Sequence, residues 1–154
     1  MLFEQYAGKM MAICKRYTKD RMEAEDMLQI GFVKVFKKIE QLKDGSLEGW
    51  MKRIFINTCL TQWQKNKASP IVMGEYTKEE ITHEEDGLQK LQASELMALI
   101  ELLPAGAKVI FNLYAIEGYP HTEIAPMLNI TEGASRAQLT RARQLLQKRL
   151  RTHI

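Results

Sequence analysis

The sequence predicts an all-α protein made of two small helical domains joined by a flexible linker. Apolar residues recur at helical spacing through most of the 154 residues, and no segment alternates as strands do. The helical pattern stops between residues 68 and 92, where Ser, Pro, Gly and acidic residues dominate. The charge divides at the same places: residues 1–67 carry 13 Lys and Arg against 8 Asp and Glu, residues 68–92 carry 2 against 6, and residues 93–154 carry 7 against 5. Two basic domains flanking an acidic linker are typical of nucleic-acid-binding proteins.

Three helices are expected in the N-terminal domain. The first spans residues 3–17, which are apolar on one face, and the second spans residues 22–42. A third helix is expected to run from Ser46, a credible N-cap, to about Lys67. In the second helix one apolar stripe is expected to face the core: Leu28, Phe32, Val35, Phe36 and Ile39.

Helices are expected to resume at Leu91–Leu103 and again at about Ala107–Ile116, ending at Glu117-Gly118. Residues 120–146 then predict a short helix, a tight turn at Asn129-Ile130 and a longer second helix, which is the helix-turn-helix arrangement. Pro126 is tolerated if Thr122 is the N-cap, because the proline then lies in the first turn.

The second helix of this motif carries a basic face. Ser135, Leu139, Ala142 and Leu146 repeat at core-facing spacing, and Arg136, Thr140 and Arg143 repeat on the opposite side, with Ala137 and Arg141 beside them. A basic helix face alone is usually only solvated. Behind a tight turn and an upstream helix, however, arginines are placed to contact guanine edges and phosphates of duplex DNA.

The third helix of the N-terminal domain combines aromatic, basic and amide side chains. Trp50, Arg53 and Asn57 are spaced i, i+3 and i+7 and therefore share a face, which Lys52, Lys65 and Lys67 flank. Such a face suits the bases of a separated DNA strand, because these bases can stack on aromatic rings and their hydrogen-bonding edges are exposed. The alternative is that Trp50 and Trp63 are structural, as most tryptophans on amphipathic helices are.

The helix at residues 22–42 has a second apolar face, formed by Met27, Ile30 and Val33 next to Asp26 and Gln29. A small domain has difficulty burying two faces of one helix, so this face indicates a protein partner. Complete burial among the other helices is an equal alternative on the pattern alone.

The remaining reactive residues indicate neither a metal, a cofactor nor a catalytic site. Cys14 and Cys59 stand apart from any CxxC motif, which favours buried thiols in a reducing, cytoplasmic compartment. His83, His121 and His153 are widely separated in the sequence, and we interpret them as solvated. No apolar run approaches the roughly 20 residues that a membrane span needs, so no membrane insertion is expected.

Three sequence blocks together resemble a known family. EAEDMLQIGFVKVFKKI resembles region two-point-two of the extracytoplasmic-function (group four) sigma factors of bacterial RNA polymerase, and SLEGWMKRIFINTCLTQWQKNK resembles their minus-ten-binding helices. LLPAGAKVIFNLYAIEGYPHTEIAPMLNITEGASRAQLTRARQLL resembles their region four. The resemblance covers Phe3 to Leu150, and the three blocks in this order and spacing are far more specific than any one of them.

The resemblance implies partners and roles, all of them expectations. Core RNA polymerase is expected to bind through the clamp helices of its largest subunit and the flap of its second-largest subunit, and an anti-sigma factor is expected on the second apolar face of residues 22–42. The polymerase-binding residues implied are Asp26, Gln29, Ile30 and Val33. The residues implied near minus-ten promoter DNA are Trp50, Lys52, Arg53, Asn57 and Lys65, with the loop Leu42–Leu47 capturing an extruded base. The residues implied at the minus-thirty-five element are Ser135, Arg136, Gln138, Thr140, Arg141 and Arg143.

The chain departs from the family pattern at a few positions. Gly31 stands where region two-point-two commonly has an acidic residue, which is expected to weaken one polymerase contact. Pro126 is unusual in the first helix of the motif, and Ala137 and Gln138 replace small-polar and basic residues, so base preference does not transfer.

Two other functional classes are alternatives. A freestanding helix-turn-helix regulator explains the C-terminal half but not Arg53 and Asn57 beside an unused apolar face. A symmetric footprint on a palindrome would favour it, and dependence on core polymerase would exclude it. An enzyme is disfavoured because the histidines form no triad, metal set or nucleotide loop.

Overall fold

The structure, a computed structural model, describes residues 2–42, 45–66 and 93–153. The chain divides into two compact units, Met1–Pro70 and Ile71–Ile154. All regular structure in the described ranges is helical, as predicted. None of the helices in those ranges has the length and apolarity needed to cross a membrane. The predicted flexible linker at 68–92 lies outside the described residues, and the domain boundaries drawn from the sequence stay predictions.

The N-terminal unit is a three-helix bundle in which each helix contacts the other two. Its elements are α1 (Leu2–Tyr17), α2 (Arg21–Lys38) with a following 3-10 turn (Ile39–Gln41), and α3 (Leu47–Asn66). Two side chains cap these helices: Asp20 accepts a hydrogen bond from the Glu23 N–H at 2.8 Å, and Ser46 Oγ accepts one from the Gly49 N–H at 3.2 Å. The predicted N-cap at Ser46 is therefore confirmed.

A glycine sets the distance between α2 and α3. A Cβ atom at Gly31 would lie 2.1 Å from Cε1 of Phe55, closer than any real contact, so only glycine lets the Phe55 ring reach this position. The Phe55 ring in turn meets Phe32 edge-on, with ring centroids 5.0 Å apart. Position 31 is thus buried in the core. The expectation that the glycine there alters a polymerase contact is wrong.

The buried side of α2 also differs from the predicted stripe. Phe32 and Val35 are buried as expected, but Met27 is buried too, whereas Phe36 is 52% exposed. The close approach at Gly31 explains the difference, because α3 covers the side of α2 that carries Gly31 and Met27. Phe36 is thereby turned outward, and Leu28 and Ile39 are only half-buried.

From residue 93 to residue 153 the C-terminal unit contains four helices and a π-helical turn: α4 (Ala93–Glu101), α5 (Ala105–Phe111), the turn Asn112–Ile116, α6 (His121–Leu128) and α7 (Glu132–His153). Helix α5 begins earlier than predicted because the Pro104 carbonyl already accepts the Lys108 N–H at 2.8 Å. Helix α7 supplies three of the seven residues of an apolar core that it shares with α4, α5 and the turn between them: Leu99, Ile100, Leu103, Ala107, Ala142, Leu146 and Leu150.

The π-helical turn ends α5 and redirects the chain toward α6. The Glu117 N–H donates to the Asn112 carbonyl at 3.0 Å, which is the wide i to i+5 bond of a π-helix. Gly118 follows at φ +84°, a conformation that L side chains rarely adopt. This sharp exit explains why the sequence pattern ends there.

Helix α6 begins one residue before the predicted N-cap. Pro120 precedes its first turn, and the Pro120 carbonyl accepts the Ile124 N–H at 3.0 Å. Pro126 is therefore the sixth residue of the helix and not in its first turn, so the expectation for Thr122 and Pro126 is wrong. The proline cannot donate to the Thr122 carbonyl. Thr122 and Pro126 are both exposed, and the helix ends two residues after Pro126. Water can therefore reach the Thr122 carbonyl, which limits the free-energy cost of the missing hydrogen bond.

The turn between α6 and α7 is as predicted. Asn129 adopts the left-handed conformation (φ 57°, ψ 48°), and the Ile130 N–H donates to the Ala125 carbonyl at 2.9 Å. These are the features of a Schellman C-cap. Thr131 then starts α7, since its Oγ1 accepts the Ala134 N–H at 3.0 Å.

Candidate nucleic-acid interfaces

An exposed face of α3 brings together three of the side chains predicted to meet unstacked bases. Arg53 and Asn57 are exposed one turn apart, and Trp50 is half-buried beside them. Lys65 is exposed in the last turn of the same helix. Met51 and Thr58 are buried on the neighbouring side of the helix. We call Trp50, Arg53 and Asn57 the α3 face; it offers an aromatic edge, a guanidinium and an amide to a ligand.

The positive charge of Lys52 is partly compensated by an acid, Glu48. Glu48 Oε1 lies 3.0 Å from Lys9 Nζ and 4.0 Å from Lys52 Nζ. The hydrogen bond from Lys9, followed by the positive charges of Lys9 and Lys52, lowers the pKa of the Glu48 carboxyl. Glu48 therefore stays ionised and joins α1 to α3 at the edge of the α3 face.

Helix α2 leaves an apolar surface uncovered within the unit. Ile30 is 43% and Val33 51% exposed, and the polar residues predicted beside them, Asp26 and Gln29, are exposed as well. Met27, assigned to this surface from the sequence, is buried instead. The structure adds two residues that the sequence analysis did not place there. The α2 apolar face is therefore Met22, Ile30, Val33 and Phe36.

In the C-terminal unit, α7 presents its arginines to solvent. Arg136, Arg141 and Arg143 are exposed, and Thr140 is half-buried with its hydroxyl donating to the Arg136 carbonyl at 3.0 Å. Arg136 Nη1 lies 3.5 Å from Glu132 Oε2 in the first turn of the helix. We call Arg136, Thr140, Arg141 and Arg143 the α7 face. It is a basic surface on the second helix of a helix-turn-helix.

Two residues implied at this surface are buried. Ser135 is fully buried and Gln138 is 6% exposed, so neither side chain faces the solvent with the arginines. Their helical positions explain this, because the side of α7 that carries them packs on the rest of the unit. The predicted DNA contacts of Ser135 and Gln138 are therefore contradicted by the packing, and Ser135 is used in another way.

Ser135 pairs with His121, which was predicted to be solvated. Its Oγ lies 2.6 Å from Nδ1 of His121, whose ring stacks on Tyr114 with centroids 4.6 Å apart and planes 15° apart. Burial, followed by the positive charges of Arg136 and Arg143, lowers the pKa of His121. Nothing local in the sequence indicates this pair, since 14 residues separate its members.

The two cysteines are buried and free, as predicted. They meet between α1 and α3, where a hydrogen bond from the Cys59 thiol lowers the pKa of Cys14 and raises that of Cys59. The described residues contain no group of three or more His, Cys, Asp or Glu side chains arranged to hold a metal ion. His83 lies outside the described residues, and so does the side chain of His153.

Each of the two units matches a known family model. Residues 2–69 match the family model of Sigma-70 region 2, and residues 93–146 match that of Sigma-70, region 4. The ECF RNA polymerase sigma factor SigE of Mycolicibacterium smegmatis is 27% identical over 157 residues, which cover 99% of this chain and 61% of that protein. The ECF RNA polymerase sigma-E factor of Haemophilus influenzae is 23% identical over 163 residues, covering 97% of this chain and 86% of that protein.

Solved structures show the same fold. The sigma factor RpoE of Bartonella quintana, in complex with the anti-sigma factor NepR, superposes with a TM-score of 0.59 at 20% identity, covering 97% of this chain and 94% of that chain. CnrH, in complex with the cytosolic domain of CnrY, superposes with a TM-score of 0.54 at 17% identity, covering 98% and 86%. With region 2 and region 4 matched in order and relatives of one kind along nearly its whole length, the chain belongs to the extracytoplasmic-function group of RNA polymerase sigma factors.

Proposed function

We propose that this chain is a promoter-recognition subunit that recruits core RNA polymerase to promoters and helps to melt them. The observation that carries the proposal is the presence of two chemically different exposed faces on two separate units. The α3 face combines an aromatic, an amide and a cation, which suits unstacked bases. The α7 face presents arginines on the second helix of a helix-turn-helix, which suits duplex DNA. A protein that uses both faces would bind a DNA duplex and also open it.

At the minus-ten element the α3 face would work on the separated strand. Asn57 and Arg53, both exposed, would hydrogen-bond base edges that become accessible only after unpairing. Trp50 is half-buried and would offer one edge of its ring. Lys52 and Lys65 would contact the backbone, with Lys52 contributing less because Glu48 already lies beside it. The loop Leu42–Leu47, proposed to receive an extruded base, lies partly outside the described residues.

At the minus-thirty-five element the α7 face would enter the major groove. Arg136 and Arg141 would read or grip the duplex, and Arg143 would contact a phosphate. Thr140 donates its hydroxyl to its own helix and would approach the DNA mainly through its methyl group. Ser135 and Gln138 are left out of the proposed contacts because both are buried.

The α2 apolar face would bind the clamp helices of the largest polymerase subunit. Exposed apolar side chains rimmed by Asp26 and Gln29 give an interface an apolar centre and a polar edge. The flap of the second-largest subunit would hold the C-terminal unit. An anti-sigma factor would compete for the α2 apolar face; one of the similar structures is a sigma factor in complex with an anti-sigma factor.

We further propose that the chain acts by binding alone, without chemistry of its own, and works in the cytoplasm, where polymerase and promoters are. Each DNA-contacting face is small, so the free chain would bind DNA weakly. Holding both units on polymerase would fix their spacing and raise the effective concentration of the second unit once the first has bound.

In-vitro transcription with core enzyme, coupled to mapping of start sites, tests this function. The proposal predicts start sites that depend on both the chain and core polymerase. Tight, specific promoter binding by the chain alone at physiological salt, with a symmetric footprint on a palindrome, would contradict it. That result would support a freestanding regulator instead.

A further inference from the structure

His121 is held from two sides inside the helix-turn-helix. Its Nδ1 is 2.6 Å from Ser135 Oγ on α7, and its ring stacks at 4.6 Å on Tyr114 of the π-helical turn. Ser135 is fully buried, so the serine side of this hydrogen bond is shielded from bulk water. The imidazole therefore has one fixed position between the two elements.

The stack continues back to the DNA-facing side of α7. Arg143 Cζ lies 5.8 Å from the centroid of the Tyr114 ring, in the range of a cation–π contact. The contacts thus run from Ser135 through His121 and Tyr114 to Arg143, and both ends of the series belong to α7. His121 is half-buried and lies next to residues proposed to meet phosphate.

The charged groups around His121 make its protonation sensitive to DNA. From α7, Arg136 and Arg143 repel a proton on the ring, whereas Glu132 attracts one; Tyr114 faces the ring from the π-helical turn. On its own helix the nearest acid in sequence is Glu123. Burial and the two arginines favour the neutral ring in the free protein. A phosphate placed against those arginines would remove much of their repulsion and add a negative charge of its own.

The serine contact is compatible with both states of the ring. In the neutral ring Nδ1 either accepts the hydroxyl proton of Ser135 or donates to its oxygen, whereas in the imidazolium both nitrogens donate and the hydroxyl oxygen accepts. Protonation therefore adds a charge without breaking the hydrogen bond that positions the ring.

We propose that His121 couples proton uptake to duplex binding: the C-terminal unit binds minus-thirty-five DNA with a neutral His121 that gains a proton in the complex. The coupling rests on the proposed function, since it needs the α7 face to contact phosphate. DNA raises the pKa of His121 from its lowered value. Affinity for the duplex therefore increases as the pH falls through the interval between the bound and free pKa values, and levels off below it.

The test measures binding of the full chain with core polymerase to duplex DNA that carries only the upstream element of a mapped promoter. Between about pH 7.5 and about pH 5.5, where histidines titrate, we expect the affinity to rise by about three- to tenfold. His121→Phe keeps an aromatic ring for the stack but cannot titrate, and its pH profile should be flatter than that of the wild type. His83→Gln, which removes a histidine of the predicted linker, should keep the wild-type profile.

Parallel pH profiles for wild type and His121→Phe would overturn the coupling while leaving the proposed function intact. Absence of duplex binding by the wild type at every pH would overturn both. An NMR titration of the wild-type histidines avoids relying on the variant. The pKa of His121 should rise when the same duplex is added, and an unchanged pKa would contradict the proposal.

Discussion

The α3 face of the N-terminal unit is backed by aromatic packing, whereas the α7 face of the C-terminal unit combines an apolar core with polar contacts close to its arginines. Behind α3, the Phe55 ring occupies the space left by Gly31 and meets Phe32 edge-on. Helix α7 also packs through an apolar core, but the Thr131 cap and the His121–Ser135 hydrogen bond add polar contacts at its N-terminal end. The aromatic packing behind α3 contains no titratable group, but a histidine beside arginines responds to nearby phosphate. Duplex recognition is therefore expected to depend more on pH than recognition of the separated strand does.

The largest effect is expected at the α2 apolar face. Val33→Asp places a charge where the proposal has an apolar contact with polymerase, and it should weaken binding to the core enzyme by about 30-fold or more. Gln41→Asp adds the same charge at an exposed residue outside this face and should bind like the wild type. A titration with labelled core polymerase measures both. Equal affinities for the two variants would remove the α2 apolar face from the interface.

The packing that supports α3 is tested by adding one methyl group. Gly31→Ala should destabilise the N-terminal unit by about 1–2 kcal/mol, because overpacking against Phe55 outweighs the better helix propensity of alanine. Gly8→Ala is the matched control: Gly8 also lies in a helix, but a Cβ there meets nothing within 4 Å. It should be neutral or stabilising.

Urea unfolding followed by tryptophan fluorescence measures this unit alone, since Trp50 and Trp63 both belong to it. If Gly31→Ala proved as stable as Gly8→Ala, the claim that position 31 leaves no room for a methyl group beside Phe55 would be refuted.

At the α3 face, Asn57→Ala should slow promoter opening by about tenfold, the value of one or two hydrogen bonds, while formation of the closed complex changes little. The reason is that base edges become available to Asn57 only in the melted strand. Thr61→Ala one turn later is the control, because that hydroxyl donates to the Asn57 carbonyl at 2.9 Å and serves its own helix. Permanganate footprinting resolves the two steps, and equal losses at both would refute the assigned role.

The smallest effect is expected from the ion pair at the start of α7. Glu132→Gln should raise duplex affinity by about twofold, because Glu132 would no longer compete with phosphate for Arg136. The gain is small because an exposed ion pair contributes little. Glu95→Gln makes the same charge change at an exposed residue of α4. The gain should disappear at high salt. A similar gain from both variants would point to net charge, not to Arg136.

The features that the sequence predicted correctly are local ones. Helical periodicity located the helices, Ser46 was recognised as a cap, and Asn129 marked the turn. Each depends on residues within a turn or two of one another, so a single sequence carries the information. The exposed arginines of α7 were found in the same way.

The features that the sequence pattern did not predict depend on contacts between residues far apart in the chain. The buried side of α2 follows from the meeting of Gly31 and Phe55, which no periodicity within α2 reveals. Likewise, His121 and Ser135 meet only because the turn folds α6 against α7, so His121 was misread as solvated and Ser135 as a DNA contact. The position of Pro126 was misjudged because Pro120 starts the helix earlier than a side-chain cap would.

Site-specific photocrosslinking on a fork-junction promoter tests the division of labour most directly. A photoreactive residue at position 57 or 136, in the chain bound to core polymerase, reports which DNA segment each face meets. The account predicts crosslinks from position 57 to the single strand of the minus-ten element and from position 136 to the upstream duplex. Crosslinks from both positions to the same segment, or an identical pattern without polymerase, would contradict it.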